Sequence, residues 1–255
     1  NNIVLFTGPT PNIGKSFTSA NFAAVLAAAG KKVLLIDADM RRPTVAKVLG
    51  VGPDNTSAKT TAYDPTCGSG SLLLKVAAEA SKQITLEGQE KDVTTAGLAR
   101  MNMILHDFPT ANVLSGNTLT SPKFKDGEQL RTYDYVVANP PFSDKEWSTG
   151  LTLGDSGASD PYQRFGWGVP PPKQGDYAYL MHIIRSMNST GKAACILPHG
   201  VLFRGNAEAV IRKQLLSSGI LKGIIGLPAN LFYGTGLAAW RQHRHRLVRL
   251  PWRAR

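Results

Sequence analysis

From Thr60 onward the chain alternates short β-prone runs with helix-forming runs, and that alternation limits its fold more than any other feature. Strand candidates recur at residues 60–63, 84–88, 112–114, 133–138, 193–197 and 223–227, with helical runs such as 93–105, 176–187 and 207–216 between them. A regular strand-helix alternation implies a parallel sheet covered by helices on both faces. Polar residues close successive strands: Asp64, Glu90, Asn117 and Asn139, at intervals of 26, 27 and 22 residues. In an open α/β sheet the carboxyl ends of the strands share one edge, where ligands bind beside the point at which strand order reverses. The four polar ends are therefore expected to converge on one cleft, the alternative being that each simply caps a helix.

Two stretches at those ends stand out. Tyr63-Asp64-Pro65-Thr66-Cys67-Gly68-Ser69-Gly70-Ser71 follows a strand and precedes the apolar helical run 72–78, so its glycines occupy a strand-to-helix turn where a ligand can touch backbone. Asn139-Pro140-Pro141-Phe142 ends the apolar run 135–138. Its two prolines hold the chain extended and present Asn139 at the strand's carboxyl end.

The formal charge of +11 suggests a phosphate-bearing partner. Six of those charges, however, are the arginines of residues 237–255, which contain no acid. Charge alone is thus poor evidence for nucleic-acid binding. Cys67 and Cys195 have no paired-ligand spacing, and neither a disulfide framework nor a zinc site is indicated. No apolar run approaches eighteen residues and the start lacks a leader pattern, so a cytoplasmic protein without a membrane association is expected. His106, His182 and His199 lack partner spacing and are read as helix-surface or loop residues. Residues 143–173, rich in Gly, Pro and Ser and carrying Trp147, Tyr162, Phe165 and Trp167, are too long for a plain connection. They are expected to be a loop that orders over a bound partner or a segment without fixed structure.

Before residue 53 the pattern is different. The strand-like run 3–7 leads into Gly8-Pro9-Thr10-Pro11-Asn12-Ile13-Gly14-Lys15-Ser16, then a helical run to Ala29 and a second strand ending Ile36-Asp37-Ala38-Asp39. A glycine loop at a helix N-terminus can cradle phosphates, with Lys15 as point charge and the Ser16 hydroxyl on magnesium. The spacing from Gly8 to Gly14 is one residue longer than the strict pattern. This part resembles the nucleotide-binding start of bacterial exopolysaccharide tyrosine autokinases and ParA/MinD-like ATPases. The resemblance implies ATP and magnesium at Gly14, Lys15, Ser16, Asp37 and Asp39. The alternative is a β-α-β piece that does not turn over ATP.

Residues 60–236 resemble the modification (methylation) subunit of type I restriction-modification systems. Six blocks carry the likeness in order: residues 64–71, Gly88-Gln89-Glu90, Gly116-Asn117-Thr118-Leu119, Asn139-Pro140-Pro141-Phe142, Gln174-Gly175-Asp176-Tyr177-Ala178 and residues 197–205. The resemblance implies an adenine-specific DNA methyltransferase using S-adenosylmethionine, with DNA and separate specificity and restriction subunits as partners. It places Asp64, Thr66, Gly68, Ser69 and Gly70 around the methionine part of the cofactor, Glu90 on the ribose hydroxyls and Asn117 near the adenine. It assigns Asn139, Pro140, Pro141 and Phe142 to the target base, and it implies no metal for methyl transfer.

The expected fold class is α/β: a mainly parallel Rossmann-like methyltransferase sheet, incomplete at its C-terminal end, preceded by a P-loop β-α-β fragment. The expected units are a P-loop fragment at 1–52, a junction at 53–59, a methyltransferase domain at 60–236 and an unrelated basic tail at 237–255. The family's helical N-terminal region, and the strand that should follow Gly236, are not recognisable here. A hybrid of two incomplete proteins is the resulting expectation, and the alternatives to a methyltransferase are an ATP-binding P-loop protein and a hybrid chain without activity.

Overall fold

The computed structural model describes residues 57, 59–153, 159–221 and 223–224. All but the last two belong to one compact unit, Gly50–Lys222. The P-loop residues, the tail 237–255 and most of the strand candidate 223–227 lie outside the described residues.

The alternation read from the sequence becomes a parallel sheet. Its strands are β1 (Thr61–Asp64), β2 (Thr85–Glu90), β3 (Asn112–Ser115), β6 (Tyr133–Ala138) and β7 (Met187–Cys195), in the order β3-β2-β1-β6-β7. Every ladder in it is parallel, including β1 on β6 through Ala62↔Tyr135 and Tyr63↔Val136. A two-stranded antiparallel hairpin, β4 (Lys125–Asp126) with β5 (Gln129–Leu130), lies apart from it.

Successive strand residues point to opposite faces, and β1 divides in that way. Ala62 joins a core with Leu73 and Ala77 of α1 (Ser71–Glu79) and Ala96, Ala99 and Met103 of α2 (Val93–Leu105). Tyr63 joins Phe124, Tyr133, Val136 and Ile183, the last from α3 (Asp176–Arg185). Helices thus cover both faces, as such a sheet requires. A third cluster beyond the sheet packs Leu119, Trp147, Phe165, Tyr177 and Met181 against Ile211 and Leu215 of α4 (Asn206–Ser217). No helix among the described residues is long and apolar enough to cross a membrane.

Three expectations are corrected. The fifth strand runs from Met187, not from Ala193, and takes over the end of the expected helix. It is a mostly exposed edge strand, so its polar residues carried no apolar signal. It also slips register between the Tyr133↔Met187 and Tyr135↔Lys192 pairs, where a Cβ on Gly191 would stand 2.7 Å from the Tyr133 carbonyl oxygen. Secondly, the described part of segment 143–173 is a packed layer. Trp147 and Phe165 are buried, and Arg164 and Asp160 form an ion pair with neither side chain exposed. Aromatic burial in the third cluster supplies the order that the segment's backbone composition did not suggest. Thirdly, His182 is fully buried inside α3, where burial and the Arg164 guanidinium hold its imidazole down to about 3, keeping it neutral.

Candidate active site at the strand-order reversal

The chain runs outward from β1 through β2 to β3, then returns to the other side of β1 as β6 and β7. Strand order therefore reverses between β1 and β6. The two stretches singled out in the sequence follow these two neighbouring strands at their carboxyl ends. In open α/β sheets ligands bind at that juxtaposition, which makes it the candidate site.

Backbone contacts to β2 fold the first loop. The Cys67 N–H donates to the Gln89 carbonyl at 3.0 Å and the Gly70 N–H to the Cys67 carbonyl at 2.7 Å. Gly68 and Gly70 take φ of +53° and +79°, in the left-handed region where a side chain is strained. Their surroundings differ. A Cβ on Gly70 would collide with Met103, whereas one on Gly68 would meet nothing within 4 Å. Gly70 thus packs the loop down, and Gly68 leaves its backbone open. Gly88 is the partner of this arrangement, because a Cβ there would lie 3.0 Å from the Cys67 sulfur. Ser69 is exposed, its hydroxyl 2.8 Å from that of Ser71.

Two carboxyl groups stand at this edge. Asp64 is buried, and its Oδ1 accepts from the Thr66 N–H at 2.9 Å. Burial pushes the Asp64 carboxyl up to about 7, with the nearby Glu90 charge adding to the rise and the Thr66 N–H opposing it. Glu90 ties two loops together, accepting from the Gly68 N–H through Oε2 and from the Asp92 N–H through Oε1, each at 2.9 Å. Asn117 is half-buried and acts as a turn cap. Its Oδ1 accepts from the Leu119 N–H at 2.9 Å and the Thr120 N–H at 3.4 Å. The side-chain amide nitrogen, not the oxygen, is the group left for a ligand.

On the β6 side, Asn139 and Pro141 are exposed, Pro140 is buried and Phe142 is half-buried. The Ala138 carbonyl accepts from the Ile196 N–H at 2.9 Å, which fixes the point where the stretch leaves the sheet. Asp64, Thr66, Gly68, Ser69, Gly70 and Glu90 thus gather around β1 and β2. Asn139 to Phe142 follow the adjoining strand β6, and Asn117 caps the turn after β3. Gly14, Lys15, Ser16, Asp37 and Asp39 lie outside the described residues.

Sequence reasoning assigned no role to Gln89, which is fully buried in β2. Its amide donates to the carbonyls of Gly116 (3.1 Å) and Ser121 (2.9 Å), and its oxygen accepts from the Lys123 N–H (2.9 Å). One side chain therefore holds the whole loop that carries Asn117. The signal available was a polar residue at an interior strand position beside Gly88.

The chemistry of these groups fits a cationic, hydroxyl-bearing cofactor. A buried acid resists ionisation until a positive charge arrives, an open glycine backbone admits close approach, and a second carboxylate offers further lone pairs.

The profile of the N-6 DNA Methylase family matches residues 43–240. The chain is 32% identical over 184 residues to the type I restriction enzyme MjaIX methylase subunit of Methanocaldococcus jannaschii, covering 69% of this chain and 31% of that protein. It is 34% identical over 189 residues to the MpnII methylase subunit of Mycoplasma pneumoniae, covering 69% and 34%. Among solved structures, the type I restriction-modification methyltransferase subunit from Streptococcus thermophilus superposes with a TM-score of 0.59 at 32% identity, over 80% of this chain and 42% of that one. The chain spans about a third of the length of these two curated relatives. By the extent of the profile match and the switch-point site it covers, the chain belongs to the N-6 DNA methylase family.

Proposed function

We propose that residues 60–236 form the cofactor- and base-binding domain of an adenine-specific DNA methyltransferase. On this reading the chain is a cytoplasmic modification subunit of a type I restriction-modification system, working with specificity and restriction subunits. The observation that carries it is the placement of the glycine loop with its buried acid, and of Asn-Pro-Pro-Phe, after adjacent strands at the order reversal. S-adenosylmethionine, when bound, supplies an electrophilic methyl group on a sulfonium.

Asp64 faces the cationic methionine part, and the open backbone at Gly68 lines its path. Glu90 accepts from the ribose hydroxyls, and the Asn117 amide donates towards the cofactor's adenine. The target adenine leaves the DNA stack to reach the crevice, where Phe142 offers a ring for it to stack on. The Asn139 side-chain oxygen and the Pro140 carbonyl accept from its exocyclic amino group, which directs the nitrogen lone pair away from them. Asn139 is an acceptor and not a base, because an amide does not hold a proton at neutral pH; the amino proton passes to water after transfer. Fixing the target nitrogen in line with the donor supplies much of the rate.

The test is calorimetric titration with S-adenosylmethionine of the chain and of its Asp64→Ala variant. The expected result is saturable binding that the variant loses. A folded chain that takes up no S-adenosylmethionine would overturn the reading.

A further inference from the structure

Asn139 to Phe142 are joined to the rest of the fold at two points. One is the carboxyl end of β6. The other is the first turn of α3, whose opening residue, Asp176, has no exposed side-chain surface. Asp176 Oδ1 accepts from the N–H of Ser143, the residue after Phe142, at 2.8 Å. Its Oδ2 accepts from Arg204 Nη1 at 2.8 Å. Arg204 also donates to Glu208 Oε1 at 3.0 Å and, through Nη2, to the Ser143 hydroxyl at 3.4 Å. Ser143 is thus held by both members of one ion pair. It needs to be, because its φ of +51° is a strained value for a residue with a side chain.

The following residues reinforce the hold. The Asp144 carbonyl accepts from the Gly175 N–H at 3.0 Å, and Asp144 Oδ2 accepts from the Tyr179 hydroxyl at 2.9 Å. A Cβ on Gly175 would stand 2.7 Å from the Trp147 Cβ, so glycine there permits the close approach. Between the two anchors lie two prolines whose φ angles are fixed by their rings. The rings restrict the backbone between the two anchors, and Phe142 lies directly before the one at Ser143.

We infer that Asp176, oriented by Arg204, is a positioning residue that sets the Asn139 to Phe142 stretch for the target base. This role joins three separate sequence blocks into one device: the Asn-Pro-Pro-Phe stretch, the start of α3 and the loop bearing Arg204. It rests on the methyltransferase reading.

The experiment compares the chain with its Asp176→Asn and Arg204→Lys variants, both conservative in size. Thermal unfolding establishes that each folds. Amide hydrogen exchange over residues 139–147, S-adenosylmethionine affinity, and kcat and KM for methyl transfer to adenine-containing DNA are then measured. The expected result is faster exchange of that segment and a kcat lower by about a hundredfold, the scale of a small misplacement of reacting groups. Cofactor affinity stays unchanged, because Asp64, Gly68 and Glu90 are untouched. A merely structural role would lower cofactor affinity and thermal stability together and leave exchange elsewhere equally raised, and that result overturns the inference. Should Asp176→Asn fail to fold, Arg204→Lys carries the same comparison. Variants with unchanged exchange and kcat, beside an unaltered chain that binds cofactor and transfers methyl groups, overturn the positioning role alone. An unaltered chain that does neither overturns it together with the reading beneath it.

Discussion

Replacing Asp64 by Asn is the most informative perturbation of the glycine-loop site. Burial raises the Asp64 carboxyl from an ordinary 3.8 to about 7. In that interval the unfolded chain gives up the Asp64 proton while the folded chain keeps it. The folded state is therefore favoured most below pH 4 and loses that advantage as pH rises to 7. At about 1.4 kcal/mol per unit, the loss amounts to about 4 kcal/mol at most. Asn keeps the shape and an oxygen for the Thr66 N–H but carries no such proton. Urea unfolding at a series of pH values should show the variant close to the parent at pH 4 and more stable at pH 8 by up to that amount. The difference includes the coupling of Asp64 to Glu90, which the substitution also removes. Binding should follow the opposite course. A cationic ligand draws Asp64 into its charged form, so the affinity of the parent for S-adenosylmethionine should rise by up to about tenfold per pH unit below 7 and level off above it. The variant should bind weakly with no such slope. A stability difference that is flat between pH 4 and 8 would refute the claim that Asp64 is a buried acid whose carboxyl is pushed up to about 7.

Other parts of the fold give narrower predictions. Arg164→Met leaves the buried Asp160 carboxylate with only the residue-164 main-chain N–H and should cost about 3–5 kcal/mol in urea unfolding, whereas the double variant with Asp160→Asn, neutral and still able to accept from that N–H, should recover most of it. Gly68→Ala and Gly70→Ala each meet the backbone penalty of a left-handed φ and should cost about 1–2 kcal/mol, read as a drop in unfolding midpoint, with the terminal methyl of Met103 moving aside at Gly70. Gln89→Leu strands the Gly116 and Ser121 carbonyls and the Lys123 N–H; it should cost at least about 2 kcal/mol and speed amide exchange across the loop after β3.

The contrast between β6 and β7 explains how much of this fold is legible in the sequence. Residues 133–138 were bounded correctly because a central strand, covered on both faces, must be apolar to be stable. The same reasoning missed the first half of β7, where Met187-Asn188-Ser189-Thr190-Gly191 faces solvent at the sheet edge and burial imposes no pattern. Helix α2 was read to its ends because its buried residues, Ala96, Ala99 and Met103, recur at helical spacing. His182 was misread for a related reason. Spacing along the chain shows which face of a helix a residue occupies but not what meets that face, and the partner here comes from segment 143–173, whose packing no local pattern announces.

The candidate site divides along the same line. Asp64, Glu90 and Asn139 were legible because strand termini are marked locally, by a polar residue closing an apolar run, and a parallel sheet brings all such ends to one edge. Asp176 and Arg204 were quoted in the sequence blocks without a role, since an ion pair between residues 28 positions apart leaves no local mark. The local marks therefore find the residues that close the strands, and tertiary structure is needed to find those that anchor the loops after them. Of the two stretches, the one after β1 is fixed by bonds to itself, to β2 and, through Asn102, to α2, whereas the one after β6 has its far anchor in α3 and the loop bearing Arg204. Substitutions at Asp176 or Arg204 should accordingly disturb the stretch after β6 and leave the glycine loop intact.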